Sequence, residues 1–227
     1  MADPTRFPGR ISDWILQKDN QLIAFNKPNG LAVQAGKQEG PNLLGMGAAY
    51  VRHDLYLIHR LDQPVSGVVL LGQKPSAQTE LTRQFKKGTV EKKYLAVVAN
   101  RPAEDAATLV HHLKNASGNR SATLDEPGPN TRESELSYRY LASSERYHLL
   151  EVSLKTGRKH QIRAQLAAIG CPLRGDEKYG FKRPNPDGSI DLHARLLAFD
   201  HPVSGERTEI TAPLPDTPVW NAFKDLL

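Results

Sequence analysis

The sequence predicts an α+β fold: a largely antiparallel, mixed central β-sheet flanked by helices. Three observations predict it. Runs of strand character outnumber helical ones, most of them form neighbouring pairs joined by turn residues, and only two stretches combine a helical apolar stripe with fitting termini.

Taken in chain order, WILQKDNQLIAFNKPNGLAV at 14–33 reads as two short strands joined at Asp19-Asn20, with a turn after them at Pro28-Asn29-Gly30. NLLGMGAAYVRH at 42–53 has helical character weakened by two glycines. LYLI at 55–58 and VVLLG at 68–72 are unbroken apolar runs of strand length, the pattern of strands buried on both faces. PSAQTELTRQFKKG at 75–88 is the clearest helix: Pro75 suits its first turn, Gly88 its C-terminal cap, and Ala77, Leu81 and Phe85 make a buried stripe. TVEKKYLAVVAN at 89–100 is a strand. Residues 101–132 are polar and rich in Pro, Gly, Asn and Ala, and read as loops with short edge strands near 107–113 and 121–124. Residues 135–143 and 147–156 form a hairpin. GRKHQIRAQLAAIG at 157–170 is a helix with Ile162, Leu166 and Ile169 on one side and Gly170 as its stop. Two further strands, LHARLLAFD and ERTEITAP, flank a turn near the end.

With 227 residues and 39% hydrophobic content, the chain can bury one sizeable core, as one domain or two small ones. No apolar run approaches membrane-spanning length, and MADPTRFPGR at the start lacks the apolar centre of a secretory signal. One cysteine, Cys171, allows neither an internal disulfide nor a multi-cysteine zinc site. A cytoplasmic protein is expected. The formal net charge of +5 is modest but clustered, in KKGTVEKK at 86–93, GRKHQIR at 157–163 and KYGFKR at 178–183. Such clusters suit either a solvated face or a polyanion partner that releases counterions on binding.

One six-residue pattern occurs twice: DQPVSG at 62–67 and DHPVSG at 200–205. Asp200 precedes a strand with one polar face, so a turn-capping role at the mouth of an exposed hairpin accounts for it. Asp62 lies between two apolar runs, with His59 and Arg60 just before it. A carboxylate at the edge of a core needs a partner. Read alone, it is either a structural ion pair that positions a loop or a carboxylate held ionised for nucleophilic work. No His-Glu-x-x-His spacing and no Gly-x-Ser-x-Gly elbow is present, so neither a zinc site nor a serine hydrolase is indicated.

The longer string HRLDQPVSGVVLL at 59–71 resembles the aspartate motif of the RluA-type pseudouridine synthases. Further matches occur in the family's order: NKPNGLAVQ at 26–34, EKKYLAVV at 91–98, LKTGRKHQIRAQLAAIGCPLRGDEKYG at 154–180 and LHARLLAFDHPVSGE at 192–206. The similarity runs from about Trp14 to Pro213. Two departures stand out: Pro64 and Val65 stand where the family more often has Asp or Ala and then Thr, and Gln165 replaces a frequent histidine.

The resemblance implies a stand-alone catalytic domain over 1–227, without the N-terminal RNA-binding domain many relatives carry, and the pseudouridine synthase fold. It implies an enzyme that breaks the uridine C1′–N1 bond, turns the uracil and rejoins it through C5, with no metal or organic cofactor. It assigns Asp62 as nucleophile, Tyr94 as the tyrosine that stacks on uracil, and Arg163 as the arginine that pairs with the aspartate. Arg60 is the residue that helps hold the nucleic acid open, and Lys92, Lys93, Arg158, Lys159 and His160 are candidates for RNA contact. The expected partner is a structured RNA, a ribosomal RNA or tRNA stem-loop, with no membrane and no metal, and a monomer is expected because no heptad pattern appears. An inactive RNA-binding or chaperone module on the same fold is the alternative; retention of Asp62, Tyr94 and Arg163 together favours the enzyme.

Overall fold

Two runs of neighbouring strands carry the fold, and residues 7–36, 40–118 and 120–226 of the computed structural model are described. The first six residues, on which the expectation of no leader partly rested, lie outside them. Contacts divide the chain into two compact units, Met1–Glu91 with Ala194–Pro213, and Lys92–His193 with Leu214–Leu227.

In the first unit, a 3-10 turn at Ile11–Trp14 leads into β1 (Ile15–Lys18) and β2 (Leu22–Lys27), an antiparallel pair whose turn is closed by Asp19 Oδ1 accepting from the backbone of Gln21 and Leu22. Helix α1 (Leu43–Val51) starts at Asn42, whose side chain accepts from Gly45 N. Its glycines do not break it: Gly47 is buried, and a Cβ there would lie 2.8 Å from Leu55 Cδ1, so the glycine admits a close approach. The two-residue β3 (Tyr56–Leu57) and β4 (Ser66–Gly72) come next. Strand β2 pairs antiparallel with β4, Phe25 opposite Val69, and six of the seven β4 residues are buried, as its unbroken apolar run predicts.

Helix α2 (Pro75–Lys87) has Pro75 in its first turn and Gly88 as its cap, and it buries Ala77 and Leu81. Leu81 joins Leu22, Leu70 and Phe199 in one core cluster; full burial of such side chains stabilises by about 1.5–3 kcal/mol each. The late hairpin, β10 (Leu192–Asp200) and β11 (Arg207–Thr211), adds to this unit through the residues from Ala194 onward, giving the order β1-β2-β4-β10 with β11 beyond.

The second unit is an antiparallel sheet. Its strands are β5 (Glu91–Val98), β6 (Ala106–Ala116), β7 (Arg120–Leu124), β8 (Arg132–Ser143) and β9 (His148–Leu154), in the spatial order β5-β9-β8-β6-β7. The polar 101–132 stretch is more ordered than its composition suggests. β6 has 11 residues and pairs with β8 along one edge and β7 along the other. Its half-wet alternation was masked by a run of small and polar residues. Helix α3 (Gln161–Ala168) begins four residues later than expected, because His160 takes a left-handed φ of 53°. Its first six residues are all buried. The short α4 (Pro218–Asn221) brings Trp220, with Phe223 after it, against Leu95, Val97 and Leu149. The strands of both units thus form a largely antiparallel arrangement with few helices, as expected.

The two Pro-Val-Ser-Gly copies part company here. Val65 is 2% exposed and Val203 72%. Gly67 has φ 111°, and a Cβ on it would lie 2.2 Å from the carbonyl oxygen of Ala194 in β10. Gly205 has φ 73° with open space around it. Gly67→Ala should therefore prevent folding or cost well over about 3 kcal/mol, while Gly205→Ala should cost about 1 kcal/mol, the left-handed penalty alone. Urea unfolding of the two variants measures this.

Candidate active site

Asp62 sits at the first corner of a turn closed by Val65 N donating to Asp62 O at 3.1 Å. The segment before it is fixed at alternate residues. His59 Nε2 accepts from Leu70 N at 3.0 Å and its ring stacks on Phe85 with centroids 4.8 Å apart; Leu61 is buried; Arg60 is exposed. His59 therefore braces β4 from the preceding loop.

The Asp62 turn is joined to the Pro28-Asn29-Gly30 turn. Gly30 N donates to Gln63 O at 2.8 Å, and Gln63 Nε2 donates to Gly30 O at 2.9 Å. Beneath both lies Lys27, at the end of β2 and wholly buried. Its Nζ donates to Pro28 O at 2.9 Å, Leu31 O at 2.8 Å and Gln63 O at 3.2 Å. Three carbonyls offer one acceptor to each N–H of an ammonium, which offsets the cost of burying it. Burial pushes the Lys27 pKa down to about 7, and the negative charge of Asp62 opposes that shift. A buried cation therefore stands in the field of the Asp62 carboxylate. Reading the sequence missed Lys27. The signal was there: Ile23, Phe25 and Lys27 share one face of a strand, and the first two are core residues.

Asp200 is placed differently. Its backbone N–H and C=O are both bonded by the buried amide of Gln84, at 3.0 and 2.8 Å. Its carboxylate is half-exposed and accepts from Arg207 Nη1 at 3.3 Å. It closes a surface hairpin, as the sequence indicates.

In the second unit Tyr94 is half-buried on β5, opposite Val152 of β9. Beside it on the strand, Lys92 is buried, with its pKa lowered by that burial, and Lys93 is half-buried. Arg163 is 5% exposed, which removes the reading of a solvated helix residue. Its Nε and Nη2 donate to the two oxygens of Asp176 at 2.7 and 2.8 Å, a bidentate pair with the carboxylate 1% exposed. The guanidinium carbon lies 5.0 Å from the centroid of Tyr179. Tyr179 Oη in turn accepts from Ser121 N at 2.7 Å and meets His160 Nδ1 at 2.9 Å. Burial raises the Tyr179 pKa, and the Ser121 bond and Arg163 oppose that. His160 is thus buried against a tyrosine, while Arg158 is exposed and Lys159 half-buried beside it on the loop before α3. Asp176 and Tyr179 were missed because their partner is 13 and 16 residues away, across a loop whose path the sequence does not reveal. Among the described residues, no three His, Cys, Asp or Glu side chains gather into a metal-holding group, and no helix is long and apolar enough to cross a membrane.

Comparison with known proteins gives a consistent answer. Residues 21–168 match the family model described as RNA pseudouridylate synthase. The ribosomal large subunit pseudouridine synthase C of Rickettsia conorii is 30% identical over 209 residues, 90% of this chain and 69% of that protein. An uncharacterized RNA pseudouridine synthase of Mycobacterium bovis is 37% identical, over 88% of this chain and 69% of its own length. Among solved structures, human RNA pseudouridylate synthase domain containing 4 superposes with a TM-score of 0.77 over 95% of this chain and 94% of its own, at 24% identity.

The buried lysine makes stability depend on pH. Its folded pKa of about 7 lies below the ordinary 10.5, so between these values the unfolded chain holds a proton that the folded one has released. The Lys27 contribution should therefore make stability rise from pH 7 to about 10.5 and stay level below 7. Urea unfolding across this range should show the rise in the native protein, and Lys27→Met should remove that component.

Proposed function

Since the chain belongs to the RNA pseudouridylate synthase family, and is an RNA pseudouridine synthase, we propose that it isomerises specific uridines of structured ribosomal RNA, with Asp62 as the nucleophile. The observation that carries the assignment of Asp62 is its setting. Of the two aspartates in the repeated pattern, it is the one whose turn is built into the core on a buried cation; the other closes an exposed hairpin. The ribosomal substrate is supported by the Rickettsia relative, a ribosomal large subunit pseudouridine synthase.

In this reading the Asp62 carboxylate attacks the sugar, and the C1′–N1 bond breaks, its electron pair leaving with uracil. An attack at C1′ and a glycal-like route both use this carboxylate. The uracil turns, C5 bonds to C1′ as the Asp62 carboxylate leaves with its electron pair, the proton on C5 is lost, and N1 gains one. The product is an isomer, so the balance needs no oxidant, reductant or second substrate. Tyr94 would hold the flipped uracil by stacking, and Arg163, aligned by Asp176, would serve as the cation the family pairs with its nucleophile. Flipping costs a few kcal/mol, and less for a nucleotide in a loop, so the target is expected in or beside one. Arg60, Lys93, Arg158 and Lys159 present charge for phosphate contact, while Lys92 and His160 are buried. The proposal keeps the expectation of a cytoplasmic monomer.

Rejoining through C5 must expel the hydrogen there. Ribosomal RNA transcribed with tritium at uridine C5 should release it with the native protein and with Asp200→Asn. Asp62→Asn should lose at least about 10⁴-fold in rate, the scale of removing a nucleophile. Release from unmodified tRNA but not from ribosomal RNA would move the substrate assignment; release by Asp62→Asn at the native rate would overturn the role of Asp62.

A further inference from the structure

The second unit contains a cavity of about 620 Å³ whose lining includes four cationic side chains, Lys114, Arg132, Arg158 and Lys159, together with Asn115 and Asn130, and among the described residues no carboxylate. The cations come from three separate segments. Lys114 is on β6, where its neighbour Leu113 pairs with Arg132 of β8. Arg158 and Lys159 are on the loop before α3.

That loop is tied down on both sides. Gln161 Oε1 accepts from Arg158 N at 3.0 Å and from Thr156 Oγ1 at 2.8 Å, while Gln161 Nε2 donates to Glu135 O of β8 at 3.0 Å. Ser121 Oγ of β7 donates to Lys159 O at 2.7 Å. Arg158 Nε is anchored on Glu133 O at 3.3 Å, a carbonyl that leaves its charge unneutralised. Among the described residues, the side chains of Lys114 and Arg132 have neither an ion pair nor a hydrogen-bonded partner. Positive charge also continues beside the groove. The Lys178 pKa is lowered by burial and then by Arg163, Lys159 and Arg120. A protein does not gather four like charges around a held-open cavity without cost, since like charges repel; a polyanion would relieve the repulsion.

We propose that this groove holds the sugar-phosphate backbone of the substrate RNA, outside the nucleotide that is modified, as a second and sequence-independent contact. The inference rests on the RNA-modifying reading above. Four separated cations exceed what one phosphate needs and suit successive phosphates of one strand. Among the described residues no aromatic side chain lines the groove, so bases have nothing to stack on there, and recognition goes through charge. Lys114 and Arg132 are the residues it adds to the RNA surface.

The test is binding of a fluorescein-labelled 20-nucleotide oligouridylate across a salt series, with native protein, the double variant K114Q/R132Q and the charge-keeping K114R/R132K. Loss of two phosphate contacts should weaken binding about tenfold at low salt and reduce the slope of log affinity against log salt by about 1.4, two contacts at roughly 0.7 each for a single strand. K114R/R132K should bind like the native protein, and both variants should melt at the native temperature. An unchanged affinity and slope in K114Q/R132Q would overturn the groove, as would uridine monophosphate binding as tightly as the 20-mer, which would make it a small-anion site. The two readings fail separately. No tritium release from ribosomal RNA or tRNA with a groove-dependent slope would sink the catalytic reading and leave the groove. Tritium release with a native slope in K114Q/R132Q would do the reverse.

Discussion

The Lys27 ammonium beneath two turns is the interaction on which the architecture around Asp62 depends. A charge taken wholly out of water is costly, and here three main-chain carbonyls and a nearby carboxylate offset the cost. Two of the carbonyls belong to the turn region after β2, and the third belongs to Gln63, next to Asp62. One side chain therefore sets the position of two loops that are more than 30 residues apart in sequence. The same contact gives the site its electrostatic character: below about pH 7 the carboxylate stands in the field of a buried positive charge. Arg163 and Asp176 solve the equivalent problem in the second unit, with two short bonds between groups almost fully buried.

The two copies of Asp-x-Pro-Val-Ser-Gly show that a local pattern specifies a turn and nothing more. In each copy Pro and Gly bend the chain. The flanking residues differ: the first copy has apolar runs on both sides, and the second opens onto a strand with one polar face. Packing then divides them. Val65 enters the core and Val203 stays in water; Gly67 is required by the backbone of β10, and Gly205 only by its own conformation. Chemistry tracks burial, because a carboxylate fixed at the core edge has a defined geometry and a carboxylate on a surface loop does not.

Most of the strands and the α2 helix were legible in the sequence, because their signals are local: apolar runs, alternation, Pro75 before the helix and Gly88 after it. Three things were not. The full length of β6 was hidden: the polar stretch indicated only short edge strands near 107–113 and 121–124, since strands with one wet face lack an apolar run. The start of α3 moved because His160 takes a backbone conformation that its residue type does not advertise. The supporting residues Lys27, Asp176 and Tyr179 went unread, since each acts through a partner brought close only by folding. Of the site, Asp62 could be singled out from its surroundings, whereas the roles of Tyr94 and Arg163 came only through resemblance. The burial of Arg163 and its bond to Asp176 give that residue a physical setting the sequence did not supply.

The claim that Lys27 braces the Asp62 turn is tested most directly by amide hydrogen exchange in Lys27→Met. The Val65 amide, bonded to Asp62 O, and the Gly30 amide, bonded to Gln63 O, report on the two joined turns; the Gly205 amide, bonded to His201 O, reports on the other copy. The expected result is that Val65 and Gly30 exchange faster together, by about tenfold or more, while Gly205 keeps its native rate. Native exchange at Val65 and Gly30 in Lys27→Met would contradict the account, and would mean that the turns hold their shape without the buried charge.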